Sequence, residues 1–353
     1  MKKLFFEEWL KDEKKFRFDQ LRQAIFHELV ENFSEISVFS EKLRKKLSSS
    51  FDFSVLKLEK IFQEQKTEKA ILESKIDQKK METVLLRHQN RTTVCVSTQI
   101  GCACGCKFCE TGKMGLIRNL SSREIVEQVL FWSRKLKKEF LKFYPEKKWN
   151  LQTAPPEFRV RNIVFMGMGE PLQNLENVKS AIEIFDSSQF YNLGIRRITI
   201  STCGIISGIE KIMTWKRVPN LAISLHAADE NLRSELLPIN KKFPLKKLIP
   251  VLEKFSQKTK KRIFLQWTLI QGKNDSVEQM KKLGEKFTGK MIHVNFIPVN
   301  PGKNLQDNEK FLPPEILKIR KLQKFLEDHF SIPSTIRNSH GQDFFGACGQ
   351  LSS

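Results

Sequence analysis

Tyrosine is nearly absent from this chain of 353 residues, two against 28 phenylalanines, and acidic side chains run short, 40 Asp and Glu against 61 Lys and Arg. The resulting +21 favours a polyanionic partner, because each phosphate neutralised by Lys or Arg releases condensed counterions; nucleic acid is the leading candidate. Acidic residues are interspersed throughout, which excludes a detached basic tail. Long apolar runs are missing too. No stretch reaches the ~20 residues that span a bilayer, and in the opening MKKLFFEEWLKDEKK, Glu7 and Glu8 interrupt the apolar core that a secretory leader requires. The expectation is a cytoplasmic chain without a membrane partner. Cysteines are few and odd in number, seven in all, which argues against a disulfide framework and for thiols that bind metal or do chemistry under reducing conditions. What is plentiful is apolar residue, 40% of the chain, enough for a folded core.

Residues 1–80 are charge-rich with helical spacing, as in FDQLRQAIFHELVENF, where Leu21, Ile25, Leu29 and Val30 share a face; this predicts a small N-terminal helical domain. From 81 to 353 the pattern becomes short β-branched runs (TTVCVSTQ, RNIVFMG, RRITIST, NLAISLH, RIFLQWTLI, IHVNFIPVN) alternating with amphipathic helices, the first opened by a capping box of Ser121 and Glu124. Repeated βα units imply a parallel sheet. LKFYPEKKWNLQTAPPEF, with three prolines and no clean period, reads as a surface insertion. Polar and glycine-rich residues cluster after successive strands, and in a partial βα barrel these ends share one mouth; a doubly wound open sheet would also place ligands at strand ends.

GCACGCKFC puts Cys102, Cys104, Cys106 and Cys109 in one loop. Structural zinc usually joins two separated ligand pairs, so a zinc site of these four would be cramped. The spacing Cys102-x3-Cys106-x2-Cys109, with Phe108 before the last thiol, suits three thiolates on a four-iron cluster that leaves one iron open for a further ligand. This spacing and aromatic position resemble the radical S-adenosylmethionine (SAM) superfamily. CVSTQIGCACGCKFCETGKMGLIRNLSSREIVEQV, MGMGEPLQN, STCGI, SLHA, LPINKKFP and GACGQL together resemble, in order over residues 80–350, the RlmN/Cfr family of RNA adenine methyltransferases.

The resemblance implies a partial (βα)6 radical SAM barrel over 81–353, with a C-terminal tail carrying Cys348, and an RNA-binding role for 1–80. It assigns Cys102, Cys106 and Cys109 to a 4Fe-4S cluster, and Gly169, Glu170, Ser201, Ser224, Leu225, His226 and Asn300 to SAM. Small Gly167 and Gly169 would let the backbone approach the ligand, and Glu170 would accept from its amino group. Cys104 and Cys203 depart from the pattern and are read as non-ligands. The implied chemistry meets a real difficulty: adenine C2 has neither a lone pair nor an easily lost proton, so polar methyl transfer fails there. Instead Cys348 is methylated, a SAM-derived radical takes hydrogen from that methyl group, and the carbon adds to the base. Glu82 then removes the proton from the adducted carbon and Cys95 attacks the Cys348 sulfur, leaving a disulfide for a reductant to clear.

The expected substrate is an adenine in structured large-subunit ribosomal RNA, with transfer RNA as a second substrate, served by a monomer with an electron donor such as flavodoxin or ferredoxin. GMGEP favours the C2 over the C8 branch. The rival readings are C8 methylation and a zinc-stabilised RNA-binding protein without catalysis.

Overall fold

The computed structural model describes residues 8–11, 13–300, 302, 311–337 and 345–352. Its N-terminal part is helical only to Ser50: α1 (Phe16–Arg22) runs into a π-type turn, and α2 (Glu41–Ser50) is capped by the Ser40 hydroxyl accepting from the Leu43 N–H. The face expected from the spacing is buried, Leu21, Ile25, Leu29 and Val30 all lying in the core beside Trp9, Phe26 and Phe33.

Residues 51–80 depart from the helical expectation. They hold strands β1 (Leu56–Glu64) and β2 (Thr67–Ser74), an antiparallel hairpin that continues into β3 (Lys80–His88) and β4 (Arg91–Cys95). LEKIFQE is rich in Glu and Lys, which favour helices, and β1 is an edge strand exposed on both faces, so no alternation of apolar and polar residues marks it.

Beyond β4 the chain alternates as expected. A small hairpin of β5 (Gln99–Gly101) and β6 (Leu116–Asn119) brackets a short turn, α3 (Glu110–Lys113). Then come α4 (Ser122–Phe143), β7 (Val160–Phe165), α5 (Leu175–Asp186), β8 (Ile198–Thr202), α6 (Ile206–Ile212) and β9 (Asn220–Ser224). The chain continues through α7 (Glu230–Leu236), α8 (Leu245–Thr259), β10 (Ile263–Leu269), α9 (Val277–Phe287), β11 (Ile292–Pro298), α10 (Ile316–Phe330) and β12 (Ser334–Ile336). The main sheet has ten strands in the order β1-β2-β3-β4-β7-β8-β9-β10-β11-β12, antiparallel up to β4 and parallel from β4 onward, and it does not close. Six strands, β4 and β7 to β11, are each followed by helix, which is the partial (βα)6 barrel extended by the three antiparallel strands β1–β3 on one side and by β12 on the other.

The Ser121–Glu124 capping box starts α4, and the buried Glu127 carboxylate on that helix accepts from the Val55 and Leu56 N–H groups at 2.8 and 3.2 Å, fixing the entry to β1. The helical N-terminal part docks on the same helix, where Arg134 Nε donates to the Val30 carbonyl at 3.0 Å. The supposed insertion packs as well: Trp149 Nε1 donates to the His27 carbonyl, and its ring meets Phe140 edge-on at 5.5 Å. Among the described residues, no helix is long and apolar enough to cross a membrane.

Candidate active site

Parallel strands leave their C-terminal ends on one side of the sheet, and a cavity opens there. Its wall includes Cys102, Cys106, Phe108 and Cys109 from the loop after β4, Gly169 and Glu170 after β7, Ser201 to Cys203 at the end of β8, Ser224 and His226 at β9, Gln266 and Thr268 on β10, Asn300 after β11, and Cys348 from the tail. Nearly all residues expected to bind SAM are thus brought together. Leu225 is the exception: its side chain is fully buried outside the wall, and its backbone serves the sheet, the N–H donating to the Gln266 carbonyl. Alternation explains this, since adjacent residues at a strand end face opposite ways.

The glycines also serve packing. A Cβ on Gly167 would lie 2.7 Å from the Ser97 hydroxyl, and one on Gly169, where φ is +95°, would lie 2.4 Å from Gln99 Cβ. They let the loop pass over the β4–β5 connection while lining the cavity. Gln99 then secures that loop, its Oε1 accepting from the Glu170 N–H at 2.8 Å. Glu170 itself is buried, with Oε1 accepting from the Leu172 N–H and Oε2 from the Cys203 N–H. Burial pushes its carboxyl up while those bonds hold it down.

His226 adopts the left-handed conformation, φ 58°, which is strained for a residue with a Cβ. Its Nδ1 accepts from the Thr268 N–H at 2.9 Å, which leaves the ring proton on Nε2, and Phe108 meets the ring edge-on at 4.9 Å. Burial, helped by the nearby Arg233 cation, lowers its pKa to about 3.

The four loop thiols divide. Cys104 bridges toward Cys203, Sγ to Sγ 3.3 Å, both buried, while keeping a contact with Cys102. Cys104, Cys203 and Glu170 hold their ligand atoms within 4.8 Å of one another, the convergence a single ion would use. Cys102, Cys106 and Cys109 instead spread along the cavity wall, as the cage of a four-iron cluster requires. Their thiol pKa values are all raised, Cys102 first by its hydrogen bond with Cys104 and Cys106 and Cys109 first by burial, so the thiolates form when a cation is there to stabilise them.

Gln266 is a residue the sequence reading missed. Both of its amide atoms are buried without a hydrogen-bond partner among the described residues, and it faces the cavity. Orphaned buried amides are costly, and a polar ligand would satisfy them. A glutamine inside RIFLQWTLI, an otherwise apolar strand, was the available signal.

The tail is firmly held. Asn300 Nδ2 donates to the Cys348 carbonyl at 2.9 Å, the Glu110 N–H to the Gly349 carbonyl at 2.8 Å, and the Thr111 hydroxyl to the Leu351 carbonyl at 2.5 Å. Cys348 is exposed at this mouth, although protein stands close enough to its thiol to raise the pKa. It also walls a second chamber, where Cys95 on β4 stands with Val84, Thr93, Val164 and the exposed Arg196 and Arg197; Met166, Ile297, Arg337 and Cys348 border both spaces. Burial, then the neighbouring Cys348, pushes the Cys95 thiol up. Glu82 is buried on β3 and walls neither chamber; its Oε1 lies 3.5 Å from Lys69 Nζ.

The open sheet with its thiol-lined mouth is that of a radical SAM enzyme, and the Radical SAM superfamily model matches residues 152–284. The model for the ribosomal RNA large subunit methyltransferase N-terminal domain matches residues 1–53. Proteins named as dual-specificity RNA methyltransferase RlmN from Dictyoglomus turgidum and Clostridium botulinum are 37% and 35% identical, covering 96% and 98% of this chain and 91% and 94% of their own. The crystal structure of a radical SAM methyltransferase from Sphaerobacter thermophilus superposes with a TM-score of 0.87 at 34% identity, over 97% of this chain and 94% of that one. This chain belongs to the RlmN family of radical SAM RNA methyltransferases, whose cofactors are a 4Fe-4S cluster and SAM.

The neutral state of His226 has a measurable consequence. Its folded pKa of about 3 lies below its ordinary 6.5, so the unfolded chain takes up the extra proton between these values and stability declines as pH falls through that window, levelling above it. The melting temperature of wild type relative to His226→Gln should therefore drop between pH 7 and pH 5, before most carboxylates titrate; parallel profiles would contradict a neutral buried ring.

Proposed function

We propose that this enzyme methylates C2 of adenine in ribosomal and transfer RNA through a methyl group carried on Cys348. The observation that carries this reading is the placement of Cys348 between the two spaces, facing the thiol-lined mouth on one side and Cys95 on the other. Cys102, Cys106 and Cys109 would hold the cluster, and Gln266, Ser201, Ser224, His226 and the main chain around Glu170 would receive SAM. When bound, these cofactors would supply the hydrogen abstraction that makes the Cys348 methyl group reactive toward an unactivated ring carbon, and the cluster would be the acceptor for the one electron that the base adduct must lose before release.

The remaining work falls to the protein. After the Cys348 methyl carbon has bonded to the base, Glu82 takes the proton from the adducted ring carbon. The Cys95 thiolate then attacks the Cys348 sulfur. An S–S bond forms as the sulfur–carbon bond breaks, the carbon keeps the electron pair and is protonated to a methyl group, and a thiol reductant clears the disulfide. The raised pKa of Cys95 means that its proton must be lost to a neighbour as attack begins. Cluster reduction calls for an external donor of the flavodoxin or ferredoxin kind.

The second chamber suits the RNA side. Arg91, Arg196, Arg197 and Arg337 wall it, and the adjoining groove adds Lys216, Lys258 and Lys261 beside Trp215. Arg159 and Lys261 have lowered pKa values, first through burial and then through neighbouring arginines, so this surface concentrates like charge that phosphates would neutralise. An adenine reaches the chamber only from a loop or flipped out of its stack.

Three experiments test the reading. Replacing Cys102, Cys106 or Cys109 by Ala should abolish iron-sulfur absorbance, whereas Cys104→Ala should retain it; the reverse pattern would overturn the ligand assignment. Cys348→Ala should give neither product nor adduct, and Cys95→Ala should accumulate RNA covalently bound to protein, seen on denaturing gels as a shifted band that nuclease collapses. Adduct-free loss in both variants would refute the covalent route. RNA affinity should fall linearly with salt on logarithmic axes, and Arg196→Ala with Arg197→Ala should reduce that slope by about two.

A further inference from the structure

We propose that Lys69 is a positioning residue for the release step, holding Glu82 in its proton-accepting form and registering it against the tail that carries Cys348; this rests on the covalent reading above. Lys69 on β2 pairs with Val84 on β3, which pairs with Cys95 on β4. Directly opposed residues of antiparallel strands share a face, so Lys69, Val84 and Cys95 form one row on the face toward the chamber that Val84 and Cys95 line. Glu82, two residues before Val84, lies on that same face.

The Lys69 side chain is 3% exposed and that of Glu82 1%. The ammonium lies 3.5 Å from Glu82 Oε1 and donates at 3.1 Å to the carbonyl of Phe345, three residues before Cys348, while the Phe62 ring covers it at 5.1 Å. Burial disfavours a charged carboxylate and an adjacent cation restores it, whereas a neutral Glu82 could accept no proton. A buried ion pair is a poor device for stability, since apolar residues of the same volume usually serve as well. Its place here, in the row that ends at Cys95 and in contact with the tail, gives it a chemical use. One ammonium sets both the state of the acceptor and its distance from the methyl carrier.

The test uses the holoenzyme with RNA, SAM and reductant, comparing wild type, Lys69→Gln, Lys69→Arg and Cys95→Ala on denaturing gels. Gln keeps a donor for the Phe345 carbonyl but loses the charge, so it preserves packing; Arg keeps the charge. Lys69→Gln should still form the protein–RNA adduct but release it about a hundredfold more slowly, the lower range of what a positioned general base contributes. Lys69→Arg should restore release to within about tenfold of wild type. Wild-type release by Lys69→Gln would overturn the assignment, as would failure of a folded Lys69→Gln to form adduct, which would leave Lys69 only a tail anchor. Should Lys69→Gln not fold, normal release by Glu82→Gln would overturn it equally, because Lys69 would then have no acceptor to serve. Absence of adduct in Cys95→Ala would instead sink the covalent reading itself.

Discussion

A fully buried guanidinium holds the mouth of this sheet in shape. Arg233, with no exposed surface, donates to the carbonyls of Cys203, Leu225 and Ser224 at 2.7, 3.1 and 3.2 Å, and also to the Asn240 side chain, which itself donates to Glu230. Strand ends in a parallel sheet leave carbonyls without ladder partners, and several such groups unmet inside the protein would each cost about 1–3 kcal/mol. Arg233 meets them together and so fixes the ends of β8 and β9 relative to each other. None of these acceptors is a carboxylate. A cation so placed near Cys106 and Cys203 suits an anionic occupant in front of it, which is the character of a thiolate-ligated cluster.

The same logic governs the tail. It is not part of the sheet, yet its backbone is bound to Asn300, to the two residues that follow Cys109, and to Lys69, so its position is set by the loop bearing the proposed cluster ligands and by the hairpin strands together. Movement of either alters the place of Cys348. Asn300, expected to bind SAM, is therefore tied to Cys348 as well, and the two expectations are compatible because its side chain stands at the junction of cavity and tail.

Much of this was legible in the sequence for identifiable reasons. The parallel core announced itself because strands covered by helices carry unbroken apolar runs, and the thiols were marked by their spacing. The hairpin of β1 and β2 was not legible: an edge strand exposed on both faces loses its alternation, and nothing in QKTEKA marks Lys69 as buried. Arg233 escaped for a related reason, because nothing in ENLRSELLPIN distinguishes an arginine that turns inward from one that turns to solvent. The glycines of GMGE stand out in the sequence, but it does not show that Ser97 and Gln99 run beneath them.

The deepest constraint is the division of the interior. Radical chemistry needs a dry, closed environment, whereas a charged polymer must enter from water through a cationic opening, and one undivided cavity would serve both badly. Met166 and Ile297 supply apolar bulk between the two spaces, and Cys348 is the reactive group that borders each. A methyl carrier on the chain itself follows naturally from such a partition. On the proposed reading, a thiol at the boundary would be charged from one side and discharged on the other, so RNA need never reach the thiol-lined mouth, and the second thiol that frees the product would belong where Cys95 stands, in the chamber beyond Cys348.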